Sequence, residues 1–124
     1  MGMFPDSDMC VKGKVTIAAG ESISTALVKK HYSYMAIFLP ANWTTAPITF
    51  LGCDAPDGTF NQVVSATDVS EVNIPNVVAS KVIVLDTEFL EALIALPYIK
   101  LRSGTLITPV NQGVDVTINI VLRR

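Results

Sequence analysis

Residues 114–124, Val-Asp-Val-Thr-Ile-Asn-Ile-Val-Leu-Arg-Arg, constrain this chain more than any other stretch. Val114, Val116, Ile118, Ile120 and Leu122 fall on one face of an extended backbone. Asp115, Thr117, Asn119 and Arg123 fall on the other, with Val121 the exception. Side chains alternate sides in a strand, so a period of two held over this length marks a half-buried β-strand, and no helix produces it. Ile99 and Leu101 alternate in the same way against Tyr98, Lys100 and Arg102. A loop rich in Gly, Pro and Asn joins the two runs, and two such strands frame an antiparallel β domain. The last strand is expected to be tied into a sheet.

The rest of the chain supplies more short strands. Residues 14–19 read as the first, with Val15 and Ile17 inward, and residues 20–22 as a turn. Residues 23–28 read as the second, with Ile23, Thr25 and Leu27 on one side. Residues 32–39 are apolar on both faces, which marks a central strand or one that meets a partner. Residues 40–47 form a loop bounded by prolines, residues 48–53 a strand, and residues 54–58 a turn in which Gly58 is free to take a positive φ. Residues 60–64, 69–74 and 81–85 follow as strands, with Val72 and Ile74 on one side and Pro75 and Asn76 as a break. Residues 86–93 are the one helical candidate. Asp86 caps it, Glu88 sits at the positive end of its dipole, and Leu90 and Leu93 lie one turn apart. The pattern predicts an all-β, antiparallel two-sheet β-sandwich, jelly-roll or immunoglobulin-like, with one short helical turn. The domain plan is an N-terminal arm over residues 1–13 and a β-sandwich domain over residues 14–124. The arm has no period but carries Met1, Met3, Phe4, Met9 and Val11, so it is expected to dock on its own domain or on a neighbour, the alternative being a disordered terminus.

Charged residues make up only 16% of the chain and hydrophobic ones 50%, against about 25% charged in an ordinary domain. A domain of this size needs polar groups to cover its surface, so the shortage points to a homo-oligomer or an assembly component. The alternative is a monomer with a Ser/Thr/Asn-rich surface. The net charge of −2 carries no basic stripe, so no nucleic-acid partner is expected. Lys29-Lys30 and Arg123-Arg124 read as solvated strand ends. No leader segment is evident after Met1, and the longest apolar runs, such as residues 35–39, are too short to span a bilayer, so no membrane partner is expected. Cys10, in the arm, and Cys53, at a strand end, form no close-spaced motif and read as free thiols of a reducing compartment, a disulfide being the alternative.

Catalytic chemistry is hard to assemble from these residues. His31 is the one histidine, it sits beside two lysines, and no Gly-x-Ser-x-Gly elbow accompanies a serine. One histidine and two distant cysteines do not make a zinc site. Asp54 and Asp57 are turn formers before they are calcium ligands. Asp68, Glu71, Asp86, Glu88 and Glu91 offer carboxylates, but nothing in their spacing pairs any two for glycoside cleavage. No glycine cluster precedes a helix to cradle a phosphate. Trp43 could stack on a sugar ring, but packing of its own loop weighs at least as much. No catalytic, cofactor-binding or metal residue is assigned, no cofactor is expected, and the chain reads as a non-enzymatic recognition or structural module.

Two regions carry a resemblance. Phe38-Leu39-Pro40-Ala41-Asn42-Trp43-Thr44 leads to Ile48-Thr49-Phe50 and the Asp57-Gly58-Thr59-Phe60 turn. Later come Tyr98-Ile99-Lys100-Leu101-Arg102-Ser103-Gly104-Thr105 and Pro109-Val110-Asn111-Gln112. This order resembles the small β-sandwich head decoration, or cement, proteins of tailed bacteriophages, over roughly residues 15–123. The Tyr-Ile-Lys-Leu-Arg piece alone also resembles a strand of discoidin-like, galactose-binding jelly rolls. The irregular turn at residues 52–58 departs from the phage pattern. The resemblance implies a capsid decoration protein that binds the major capsid protein on the outer surface of the shell, often as a trimer, with no catalytic residues. Its place would be the virion, after synthesis in the host cytoplasm. A carbohydrate-binding jelly-roll module on a phage particle is the alternative, with Trp43 as its stacking residue.

Overall fold

The computed structural model describes residues 10–124. Along the chain come β1 (Cys10–Ile17), β2 (Leu27–Val28), β3 (Tyr34–Phe38), β4 (Ala46–Cys53), β5 (Asn61–Gln62), β6 (Asn73–Val77), β7 (Val82–Val84), α1 (Thr87–Leu93), β8 (Tyr98–Ser103) and β9 (Val116–Arg123). One sheet has the order β1-β9-β3-β7, the other β2-β8-β4-β5, with β6 also on β4. Every pair is antiparallel, and the pairs nest. β1 meets β9, β2 meets β8, β3 meets β7, and β4 meets β5 and β6. A single long hairpin ribbon has this nesting. Rolling it up brings β9 against β3 and β8 against β4, which closes the sandwich. That is the jelly-roll arrangement, and it decides between the two expected sandwiches.

The alternation in β9 is what holds the roll together. Val116, Ile118, Ile120 and Leu122 are all fully buried, and the strand lies between β1 and β3. Across the sandwich, Ile48 and Phe50 of β4 and Ile99 and Leu101 of β8 are equally buried. Each such side chain contributes about 1.5–3 kcal/mol on leaving water. The helix closes one end. Asp86 caps it by accepting a hydrogen bond from the Phe89 N–H at 3.4 Å, Leu93 is buried, and Phe89 and Leu90 pack on the core.

Several local expectations need correction. β1 begins at Cys10, so Cys10 pairs with Arg123 in a strand, while residues 1–9 of the expected arm lie outside the described residues. The two strands that frame the domain, β8 and β9, lie in different sheets, and the loop between them crosses the sandwich. In the second strand, Ser24 and Leu27 are buried and Ile23 is exposed. The cause is the Ser24 hydroxyl, which accepts the Leu101 N–H at 3.0 Å and donates to the Thr25 carbonyl at 2.7 Å, interrupting the ladder and shifting the face. Pro75 and Asn76 do not end the sixth strand. β6 runs through them with a register shift opposite Ala46 and Ile48, and Asn76 takes up the irregularity at φ 55°. Proline is tolerated because β6 is an edge strand, paired only with β4. Gly58 is required for space, not for a positive φ, because a Cβ there would lie 2.5 Å from the Cys53 sulfur.

Lys29 is not a solvated strand end. It is buried, and its ammonium donates to the Tyr32 carbonyl at 3.1 Å and to the Lys30 and Ile94 carbonyls at 3.5 Å. Ile94 is the C-cap of α1, where carbonyls lack helical partners and a cation is favoured. No carboxylate joins Lys29 in an ion pair among the described residues, and burial pushes its pKa down from the ordinary 10.5. The unfolded chain therefore binds more protons than the folded one between the depressed value and 10.5, so stability rises as pH climbs through that window. Comparing urea midpoints of the native chain and Lys29→Met from pH 7 to 10.5 should show this rise in the native chain only. Equal slopes would mean that the ammonium is hydrated in solution.

Candidate interaction surfaces

The outward side of the β2-β8-β4-β5 sheet is closed over by the chain itself. Thr49, Leu51 and Cys53 of β4 and Arg102 of β8 point away from the core yet are buried. Arg102 forms an ion pair with Glu71, and its Nε donates to the Thr49 hydroxyl at 3.1 Å. That hydroxyl donates to the Gly104 carbonyl at 2.8 Å, and the other Glu71 oxygen accepts the Leu106 N–H at 3.1 Å. The Lys100 ammonium sits 4.6 Å from the centre of the Phe60 ring.

These groups fix the start of the loop at residues 104–113. Gly104 takes φ 91° in a space where a Cβ would lie 2.5 Å from the Thr108 carbonyl oxygen, so glycine is required twice over. Its N–H donates to the Pro47 carbonyl at 2.7 Å, and the Thr105 and Thr108 N–H groups close a small turn. Gln112 anchors the far end. It is fully buried, its amide nitrogen donates to the Thr44 carbonyl and the Ser103 hydroxyl, and its amide oxygen accepts the Thr44 N–H. At the tip of this braced loop, Ile107 is 91% exposed and Leu106 54%. A second loop is tied to the same Glu71 through the Val64–Glu71 bridge, and it holds Val69 exposed at φ 57°. A β-branched residue rarely occupies that region, and the conformation costs about 1–2 kcal/mol. The outer face of the β1-β9-β3-β7 sheet is open as well, with Tyr34, Phe38, Val82 and Val84 exposed on adjoining strands. Among residues 10–124, these loop tips and this sheet face hold about half of the large exposed apolar side chains, the others, such as Val28, Ile94 and Val114, being scattered.

Carboxylates that the sequence left scattered do come together. Asp68, Glu71, Glu88 and Glu91 line a cleft of about 620 Å³ between residues 64–73 and the helix, while Asp86 caps the helix. Glu71 is committed to Arg102. The Asp68 carboxylate accepts from the Ser70 hydroxyl and N–H, which hold its pKa below the usual range, the opposite of what a general acid requires. His31 lies elsewhere, stacked on Tyr32 with ring centroids 4.8 Å apart. No cluster of three or more His, Cys, Asp or Glu side chains suited to a metal is found among the described residues. Cys10 and Cys53 are free thiols. Trp43 is buried, and its indole N–H donates to the Val77 carbonyl at 3.0 Å, so its ring packs the loop and does not face a ligand. Of the two readings of Trp43, packing of its own loop is the one the structure shows, and the sugar-stacking alternative falls.

The fold and its surfaces define a jelly-roll sandwich that holds apolar side chains on braced loops. No known family model matches the chain, and no curated protein sequence matches it. In fold it is similar to the SPBc2 prophage-derived protein YomS, known from a crystal structure. The TM-score is 0.52, the likeness covers 94% of this chain and 96% of that one, and the sequence identity is 17%. An identity that low speaks for a shared fold alone.

Proposed function

We propose that this chain is a structural protein of a phage virion, a capsid decoration protein that seats on the outer surface of the major capsid shell as a homotrimer. The observation that carries the reading is the braced loop with Leu106 and Ile107 at its tip. Binding through an already ordered loop spares much of the entropy loss that a flexible one would incur. Large apolar side chains centred in an interface supply most of its energy. The shortage of charge, the sequence resemblance to phage head decoration proteins, and a fold shared with a prophage-derived protein all support the same reading. In this role the protein is not an enzyme, has no cofactor, and acts at the capsid surface after synthesis in the host cytoplasm.

The test is co-sedimentation with expanded heads of the phage that encodes the chain, alongside sedimentation equilibrium for the trimer. Burying Leu and Ile contributes about 1.5–3 kcal/mol each, so Leu106→Ser with Ile107→Ser is expected to weaken head binding by at least about a hundredfold. Both side chains are exposed, so the fold should be untouched. A chain that stays monomeric and ignores heads would overturn the proposal. Full binding by the double variant would move the contact away from this loop.

A further inference from the structure

Among the described residues, charge is sorted between the two edges of the sandwich. β1 forms one edge of its sheet and packs beside β2, the edge strand of the other. β1 and β9 carry Lys12, Lys14 and Arg123, all exposed, and no carboxylate. Lys12 and Lys14 share the outward side of the edge strand, two residues and about 7 Å apart. No described carboxylate pairs with any of the three cations.

The opposite edge is acidic. Residues 64–73 follow β5 and α1 follows β7, and β5 and β7 stand at the far edges of the two sheets. The cleft of about 620 Å³ between them is lined by Asp68, Glu71, Glu88 and Glu91 and by no lysine or arginine. Glu71 is neutralised by Arg102, which leaves three carboxylates without a cation among the described residues. These do not gather closely enough to ligate a metal ion. Asn73 lines the same cleft, and its side-chain oxygen is buried with no donor among the described residues. Unpaired carboxylates and an orphaned acceptor suit a guest that brings both positive charge and N–H groups, and an ammonium brings both. Three strand spacings, about 14 Å, separate β1 from β7, so the chain's own pair of lysines stands away from its own cleft. A second copy carries the same pair to it.

We propose that the β1 edge of one copy seats on the acidic cleft of the next, with Lys12 and Lys14 against Asp68, Glu88 and Glu91. The inference rests on the homotrimer of the proposed function and names its interface. A ring of three repeats one heterologous contact, in which two different patches meet. Complementary charge on opposite edges of one chain supplies both patches.

Charge reversal tests it, read by sedimentation equilibrium at low salt. Lys12→Glu with Lys14→Glu sets like charge against the cleft, and Glu88→Lys with Glu91→Lys does so from the other side. Each pair is expected to weaken trimer formation at least about tenfold. All four residues are exposed, so the variants should keep the fold, which urea midpoints check. The chain with all four changes has the two signs exchanged, and its trimer should recover. Raising salt from about 0.05 to about 0.5 M should weaken the native trimer and needs no variant. A trimer indifferent to both reversals and to salt would overturn the contact and leave the homotrimer standing. Loss in both pairs without recovery in the fourfold variant would overturn it too, because the two patches would then not face each other. A native chain that is monomeric at low salt would remove the homotrimer and this contact together, while head binding stays a separate measurement.

Discussion

Arg102→Met is expected to lower the stability of this protein by about 3–5 kcal/mol, because it leaves the Glu71 carboxylate partly buried and without its cation. At a urea dependence of about 1.5–2 kcal/mol per molar, the unfolding midpoint should fall by about 2 M. Replacing both partners, Arg102→Met with Glu71→Leu, should recover most of that loss, since no charge is then stranded. The difference between the single and double variants separates the penalty of an orphaned ion from the net value of the pair. A single variant within about 1 kcal/mol of the native chain would show that water reaches the pair in solution. The same substitution should also release the Leu106 loop, because Glu71 is held by Arg102 and itself holds the Leu106 N–H. Faster amide exchange at Leu106 in Arg102→Met would report that release.

Trp43→Ala should cost about as much, about 3–5 kcal/mol, as a large aromatic removed from a packed site. Trp43→Phe keeps much of the volume but leaves the Val77 carbonyl without its indole donor, and should cost about 1–3 kcal/mol. Chemical denaturation of the two variants gives both numbers. A Trp43→Ala protein of native stability would place the ring on the surface and return it to the list of possible sugar contacts.

The jelly roll was partly legible in the chain. Alternation from Val116 to Leu122, broken only by Val121, announced a strand with one buried face, and the structure puts it inside a sheet. The helix was legible from Asp86 and the spacing of Leu90 and Leu93. Alternation reports only which face a side chain takes, however, and says nothing of what covers that face. Arg102 and Thr49 sit on the outward side of their strands and are buried all the same, because Glu71 and the loop at residues 104–113 fold over them. Lys29 escaped for a related reason. Its partners are carbonyls from Tyr32 and the distant Ile94, and a carbonyl leaves no mark in a sequence. The Leu106–Ile107 tip had a signal that went unused: an apolar pair set between Gly104-Thr105 and Thr108-Pro109, where turn residues would lead one to expect polar side chains. The cleft that gathers Asp68, Glu71, Glu88 and Glu91 needed the path of residues 74–87, which bring the helix back beside residues 64–73.

The placement of β9 also bears on how the protein is made. Of the nine described strands it leaves the ribosome last, yet β1 and β3 both wait for it as a neighbour. At about 5–20 residues per second, β1 spends several seconds with its apolar residues unpartnered during translation. The sheet cannot close until synthesis has passed Arg123, so the apolar face of β1 waits uncovered by its strand partner for nearly the whole of elongation.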